Sequence, residues 1–524
     1  MRILSSLVAG FAASVLVGPA VAQSFPTDDP VLRAIWEEGM ERSQTYPLAQ
    51  ALLDSVGPRL TGSPEMETGQ EWLVDRYKSW GITARAESYG SWMRWSRGRT
   101  HVDLVAPRVR SLDAMMLAWS PGTDGRSVRG TVVTIPSVGS RAEFEQWLPS
   151  VAGKFVALSQ LQRSCRPDNN WQEFATEESL ERIRADRQQD QRDWSERIRR
   201  TGHAGRELAH ALEEAGAAGI LTSIWPNGWG VQRVFAAQTE QIPTVGIGCE
   251  DYGLVFRLAE NNQGPVLEVM AEAEFLGEAP VSNTIAEVRG GELSDEYVML
   301  SAHFDSWDGG SGATDNGTGT ITMLEAMRIL RATYPSPRRT IVVGHWSGEE
   351  QGLNGSTGFA AQNPQIVEGL QALFNQDNGT GRIVRLSAQG YTQAGAHFAR
   401  WFSMMPGELT DPIQFSYPGT PSGGGSDHAS FVCHGAPAFS LGALNWSYGS
   451  QTWHTDGDTF DKIVFDDLRH NATLTAMLVY LASEDPDRIS RDRRDVLPPS
   501  GQTGQPGQWP GCRSVRTWGG YTGR

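Results

Sequence analysis

Apolar positions change their period twice along the chain. From about residue 30 to 80 they recur at helical spacing: Leu32, Ile35, Trp36 and Met40 share one face, and METGQEWLVDRYKSWG predicts a second helix ending at Gly81. Between them, VGPRLTGSPE carries the glycines and prolines of a fixed turn. From about 120 to 280 the pattern shortens to apolar strands, GTVVTIP, GKFVALSQ, AAGILTSI and IPTVGIG, separated by turns. One charged stretch interrupts them, at about 168–214. Its Trp and Leu recur too irregularly for heptads, so it reads as a solvated helical insert. After Pro280 strand and helix alternate: VSNTIAEV, EYVMLSAHFD, a helix from about Asn316 to Leu330, RTIVVGHW and LQALFNQD. Apolar, β-branched strands spaced by helices predict a sheet covered on both faces.

The two ends read differently. Residues 1–22 combine a basic start, an apolar run broken by Gly10, Ser14, Gly18 and Pro19, and the small-x-small tripeptide Ala20, Val21, Ala22. That is the pattern of a cleaved signal peptide. A membrane anchor needs about 20 unbroken apolar residues. The expected product is exported, periplasmic or secreted, with no membrane anchor after cleavage. The tail from about Arg491 is rich in Pro, Gly and Arg, and is expected to wrap the surface or stay disordered apart from any tie at Cys512.

Composition narrows the choice of partner. The formal net charge of −16 argues against nucleic acid or an anionic membrane, both of which need a basic face. Four cysteines in an exported chain allow two disulfides in three connectivities. Their positions favour Cys165 with Cys249 and Cys433 with Cys512, and the absence of C-x-x-C removes thiolate zinc.

Histidines and acids gather where the predicted strands end. His303 and Asp305 follow YVMLSA, Glu349 and Glu350 follow TIVVGHWSG, and Asp377 follows LQALFNQ. Ligands of open α/β sheets collect at the carboxyl ends of strands. A lone H-x-D among ten histidines is weak evidence, but Asp315 in SGATDNGTG and His454 in TWHTDGDTFDK give it company. Adjacent buried glutamates are costly unless one binds a metal and the other works beside it. Two histidines and three carboxylates suffice for two zinc ions if one carboxylate bridges them.

SAHFDSWDGGSGATDNGTG and GHWSGEEQGLNGS resemble metallopeptidase family 28, in particular its carboxypeptidase Q-like branch. LLDSVGPRLTGSPEMETGQEWLVDRYKSWGI is similar to that family's N-terminal catalytic segment, and IPTVGIGCEDYGLVFRLAE to the end of its protease-associated domain, so the resemblance runs from about residue 45 to 480. It implies an α/β, three-layer mixed-sheet zinc-exopeptidase domain (23–119 and 281–485), an inserted β-rich protease-associated domain (120–280) and a tail (486–524). It further implies two zinc ions per chain: Asp315 bridging, His303 and Asp377 completing one site, Glu350 and His454 the other. Glu349 would be the general base, Asp305 would orient the His303 imidazole, and the Asp315–Asn316 peptide would be cis.

The sequence departs from the family in GGGSDHASFVCHG, which lacks the tyrosine that related aminopeptidases place shortly before SDHASF. The donor that polarises the substrate carbonyl is therefore unassigned, with His428 and the more distant Tyr417 as candidates. His345, His397, His434 and His470 are expected to be packing or surface residues. The expected function is hydrolysis of terminal bonds in short peptides, of carboxypeptidase or dipeptidase type. Aminopeptidase action is the alternative, and a glutaminyl-cyclase-like acyltransferase or a non-catalytic binding protein are further ones. The inserted regions would cover the cleft or mediate a homodimer.

Overall fold

The computed structural model describes residues 25–499, 505 and 507–522, so the expected signal peptide lies outside the described residues. Among these, no helix is long and apolar enough to cross a membrane.

The strands after Pro280 are buried on both faces, and their alternating side chains divide between two apolar clusters. Val298, Leu300, Ile341, Val343, Ala372 and Phe374 face a layer that includes the helices Pro30–Trp36, Thr318–Thr333 and Phe465–Glu484. Met299, Val342 and Leu373 face the opposite way, toward Phe359, Ile366, Val367 and Phe431 on shorter helices. The period-2 projection of side chains thus produces three layers. The strands run in the order Val266–Val288, Arg339–Trp346, Leu293–His303, Leu370–Asn375, Ala438–Ala443, Ile383–Ser387, Gln414–Ser416. The middle four are mutually parallel, and antiparallel neighbours flank them on both sides. The architecture is a mixed α/β sheet of the expected class.

The second helix begins where its sequence says it should. Ser63 caps it by accepting the Met66 N–H, Pro64 occupies the first turn, and Arg76 and Lys78 sit in the last turn, where they complement the helix dipole.

A feature absent from the sequence reading is the long antiparallel ribbon of Thr83–Ala106 with Val266–Val288. Its first strand, TARAESYGSWMRWSRGRTHVDLVA, mixes Arg, Ser and Gly among its apolar residues and breaks register at several points, so the alternation is masked. The ribbon leads to a second lobe, in which Val128–Thr134, Phe155–Ala157, Gly219–Thr222 and Thr244–Ile247 are parallel and Ala114–Met116 closes the edge antiparallel. This lobe has its own apolar clusters. The helix Glu177–Arg200 buries only Ile183, as a solvated insert should.

Disulfides join Cys165 to Cys249 and Cys433 to Cys512. The second ties the tail to the catalytic half. The tail continues past it to a short helix, Trp518–Thr522, which packs on Trp92 and Trp119. Aromatic burial orders a segment whose composition alone suggested little structure.

The end of the helix Phe465–Glu484 depends on Asp485. Its carboxylate accepts from His397 Nδ1 at 3.0 Å, Trp401 Nε1 at 2.8 Å and Arg400 at 2.8 Å. Burial opposes the charge, but these donors outweigh it and hold the carboxyl below its usual range. A carboxylate depressed in this way stabilises the fold above its unfolded pKa and loses that contribution as pH falls. Asp485→Asn is expected to destabilise the protein by roughly 3 kcal/mol near neutrality. The loss should shrink progressively below about pH 4, as thermal melts across pH 3–7 would show.

Candidate active site

Each chemistry-bearing residue stands at the end of an element that fixes its backbone. His303 is the last residue of Leu293–His303. Glu349 and Glu350 follow Arg339–Trp346, and Asp377 follows Leu370–Asn375, so all three arrive from neighbouring parallel strands. Asp315 precedes the helix Thr318–Thr333, and its peptide bond to Asn316 is cis. His454 lies on the loop before the helix Phe465–Glu484, with a positive φ of 59°.

These positions bring two imidazoles to one bridging carboxylate. His303 Nε2 lies 3.3 Å from Asp315 Oδ1 and 3.1 Å from Asp377 Oδ1. His454 Nε2 lies 3.3 Å from the other oxygen, Asp315 Oδ2, and 2.9 Å from Glu350 Oε2. Two overlapping triads result, His303–Asp315–Asp377 and Asp315–Glu350–His454. No hydrogen bond from any described residue reaches Asp315 Oδ2 or Glu350 Oε1, although both are buried. Imidazole nitrogen and carboxylate oxygen converging on two points form a donor set that fits a divalent cation such as zinc at each.

The electrostatics reflect this crowding. Burial raises Glu349 and Glu350 well above the ordinary carboxyl range, and neighbouring acids add to the effect. Burial opposes charge on His303, but Asp377, Asp305 and Asp315 outweigh it and push the imidazole well above its usual value.

The surroundings differ from expectation at Asp305. His303 Nδ1 donates to the Asp305 backbone carbonyl at 2.9 Å, while the nearer carboxylate oxygen is 3.6 Å away. That carbonyl fixes the tautomer and leaves Nε2 free to face the acids. The Asp305 carboxylate instead accepts the backbone N–H groups of Glu349 and Glu350, each at 3.2 Å, and the Thr61 hydroxyl at 3.3 Å. It therefore sets the two glutamates while standing 3.6 Å from the His303 ring. A sequence offset of two shows that Asp305 is near His303 but not which of its oxygens turns toward the ring.

Two supporting residues were not legible. Asp458 accepts the backbone N–H of Thr314 at 2.8 Å and of Asp315 at 3.0 Å, which fixes the bridging residue. Arg59, fully buried in the VGPRLTGSPE turn, donates to the carbonyls of Phe304, Ser311 and Gly312 and so clamps both ends of the Asp305–Gly312 loop.

The carbonyl-donor candidates separate. His428 is buried within reach of the Asp377 charge, and burial pushes it down to about 4. Tyr417 is 53% exposed, stacked on Phe415, and donates its hydroxyl to the Thr392 carbonyl; it makes no contact with the acid cluster among the described residues. The phenol that does stand there is Tyr448, beside Asp315 and held well above its usual range first by burial and then by Asp315, Asp377 and Glu350. It precedes His454 by six residues. A tyrosine thus stands at the acid cluster in the segment before His454.

The other histidines have structural partners or face solvent. His345 meets the Tyr77 hydroxyl at 2.7 Å, His397 binds Asp485, His470 meets the Glu408 carbonyl, and His434 is exposed.

The second lobe reaches the site. Val234 N–H donates to the His454 carbonyl at 2.8 Å, and Gln232 exchanges hydrogen bonds with Asp456. The Phe235 ring stands edge-on to the His454 ring at 5.2 Å.

Comparison with known proteins agrees with this geometry. Residues 283–479 match the model of peptidase family M28, and that span contains every residue of both triads. Carboxypeptidase Q of Bos taurus is 24% identical over 454 residues, covering 86% of this chain and 88% of the relative. The human carboxypeptidase Q is 23% identical over 457 residues, with the same coverage. A peptidase M28 precursor from Shewanella amazonensis superposes with a TM-score of 0.64 at 23% identity, covering 88% of this chain and 97% of that one. BSAP, a zinc aminopeptidase from Bacillus subtilis, superposes with a TM-score of 0.53 at 18% identity, covering 86% and 97%. Residues 283–479 therefore carry a peptidase family M28 domain.

Proposed function

We propose that the protein is an exported di-zinc exopeptidase that hydrolyses terminal bonds of short peptides, of carboxypeptidase or dipeptidase type. The observation that supports it most is Asp315, whose two carboxylate oxygens each lie 3.3 Å from a different imidazole nitrogen. His303, Asp377 and Asp315 would hold one zinc, and Glu350, His454 and Asp315 the other. Zinc at such sites acidifies a water molecule and polarises the scissile carbonyl. Glu349, unpaired in either triad, accepts the proton of the attacking water and returns it to the leaving amine. Tyr448 replaces His428 and Tyr417 as the donor to the carbonyl oxygen. Residues 120–280 are the protease-associated domain. Its segment around Phe235 walls the cleft beside His454, which favours short substrates.

Because Asp305 positions both glutamates, Asp305→Asn is expected to lower kcat/KM by about 10–100-fold. The change replaces one acceptor oxygen with an N–H that opposes a backbone N–H. Steady-state kinetics beside zinc analysis would separate this effect from metal loss.

Aminopeptidase action is the second reading, because the same pair of sites serves either peptide end and the fold superposes on a zinc aminopeptidase. Dipeptides and tripeptides blocked at the amino or the carboxyl end, assayed with zinc, decide between them. Cleavage of amino-blocked but not carboxyl-blocked substrates is expected. The reverse pattern would move the assignment to aminopeptidase, cleavage of unblocked dipeptides alone would select dipeptidase action, and cleavage of no peptide, blocked or free, would remove the exopeptidase reading.

A further inference from the structure

The tail does not stop at its disulfide. Beyond Cys512, the Arg516 backbone N–H donates to Asn354 Oδ1 at 2.9 Å and its guanidinium reaches the Gln351 carbonyl at 3.5 Å, one residue from Glu350. A Cβ on Gly352 would lie 3.1 Å from the Arg516 guanidinium carbon, a tight approach, so the glycine leaves room for the guanidinium against the loop behind the two glutamates. The chain then turns into the helix Trp518–Thr522. Trp518 lies 5.6 Å from Trp92 and 5.5 Å from Trp119, and Tyr521 lies 5.2 Å from Trp92. Trp119 in turn meets Trp307 at 6.0 Å, and Trp307 meets His454 at 6.0 Å. An unbroken set of aromatic contacts therefore runs from the C-terminal helix to a residue of the acid cluster. Tyr521 is only half-buried and stands within electrostatic reach of Glu350.

The same aromatic set has unused polarity. The indole N–H groups of Trp92, Trp119, Trp307 and Trp518 are buried and have no hydrogen-bond partner among the described residues. These groups lie beneath the surface rather than on it, so the set supports the helix Trp518–Thr522 from behind through ring packing.

We propose that residues 513–522 form an end wall of the substrate cleft, and that Tyr521, seated on the buried Trp518 and Trp92, limits the length of peptide the enzyme accepts. This rests on the peptidase reading above. The wall acts by exclusion: a peptide extending beyond it meets aromatic side chains held by a disulfide, a capped backbone and stacked rings, which cannot move aside cheaply.

Two variants test it, deletion of residues 517–524, which keeps Cys512 and Arg516, and Tyr521→Ala, which keeps the chain intact should the deletion fold poorly. The readout is kcat/KM over an alanine series from dipeptide to pentapeptide with zinc present. A second readout is the affinity of a pentapeptide with a reduced, non-hydrolysable terminal bond, measured by calorimetry. The pentapeptide-to-dipeptide ratio is expected to rise about tenfold in the deletion and several-fold in Tyr521→Ala, with the pentapeptide analogue binding correspondingly tighter. An unchanged ratio and unchanged analogue affinity in both variants would overturn the proposal while leaving the peptidase reading intact. A wild-type protein that cleaves no member of the series would overturn the peptidase reading, and the length limit with it.

Discussion

Glu349→Gln is expected to lower kcat by about 10²–10⁴-fold while zinc content stays at the wild-type level. The substitution keeps the size of the side chain and its place after Arg339–Trp346, but removes the only carboxylate of the Glu349–Glu350 pair that belongs to neither triad. Glutamine cannot accept the proton of an attacking water. A loss in kcat matched by an equal loss in kcat/KM marks an interaction made only in the transition state. Burial favours the neutral carboxyl at Glu349, so glutamine should be tolerated there without loss of folding. Steady-state kinetics with metal analysis on the same preparation checks both halves of the expectation. Near-normal kcat would remove Glu349 from its assigned role.

Asp315→Ala should have the broader effect, because both triads lose a donor at once. Zinc content is expected to fall to near zero after dialysis against a weak chelator, and activity with it. The stability consequence follows from linkage: a ligand that binds only the folded state at about 1,000 times its Kd adds about 4 kcal/mol. The wild type should therefore show a large rise in melting temperature on adding zinc, and Asp315→Ala almost none. Without zinc the variant should be somewhat less stable than the wild type, since the change takes a buried carboxylate from between the His303 and His454 rings. Paired melts with and without zinc read this directly.

His303, Glu350 and Asp377 of the two triads were legible because each closes or follows an apolar strand. A parallel sheet brings such ends together: His303, Asp377 and Glu350 are neighbours because Leu293–His303, Leu370–Asn375 and Arg339–Trp346 are neighbours. What stayed hidden depends on contacts between distant segments. Tyr448 has no strand-end position to mark it, and its place beside Asp315 emerges only when the loop before the helix Phe465–Glu484 folds back. The carboxylate of Asp305 serves residues some 44 positions away in sequence as well as facing the histidine two positions before it. The ribbon Thr83–Ala106 lost its alternation to bulges, and WGGYT reads as flexible until Trp518 meets Trp92. Spacing along the chain reports which elements form, while side-chain orientation at a site is decided by whatever packs against it.

Two cations are proposed to share Asp315, and zinc titration of the metal-stripped protein tests this most directly. Calorimetry and peptidase activity followed together should show binding of two zinc ions per chain, with full activity reached only as the second site fills. Saturation at one ion, or activity complete with one, would contradict it.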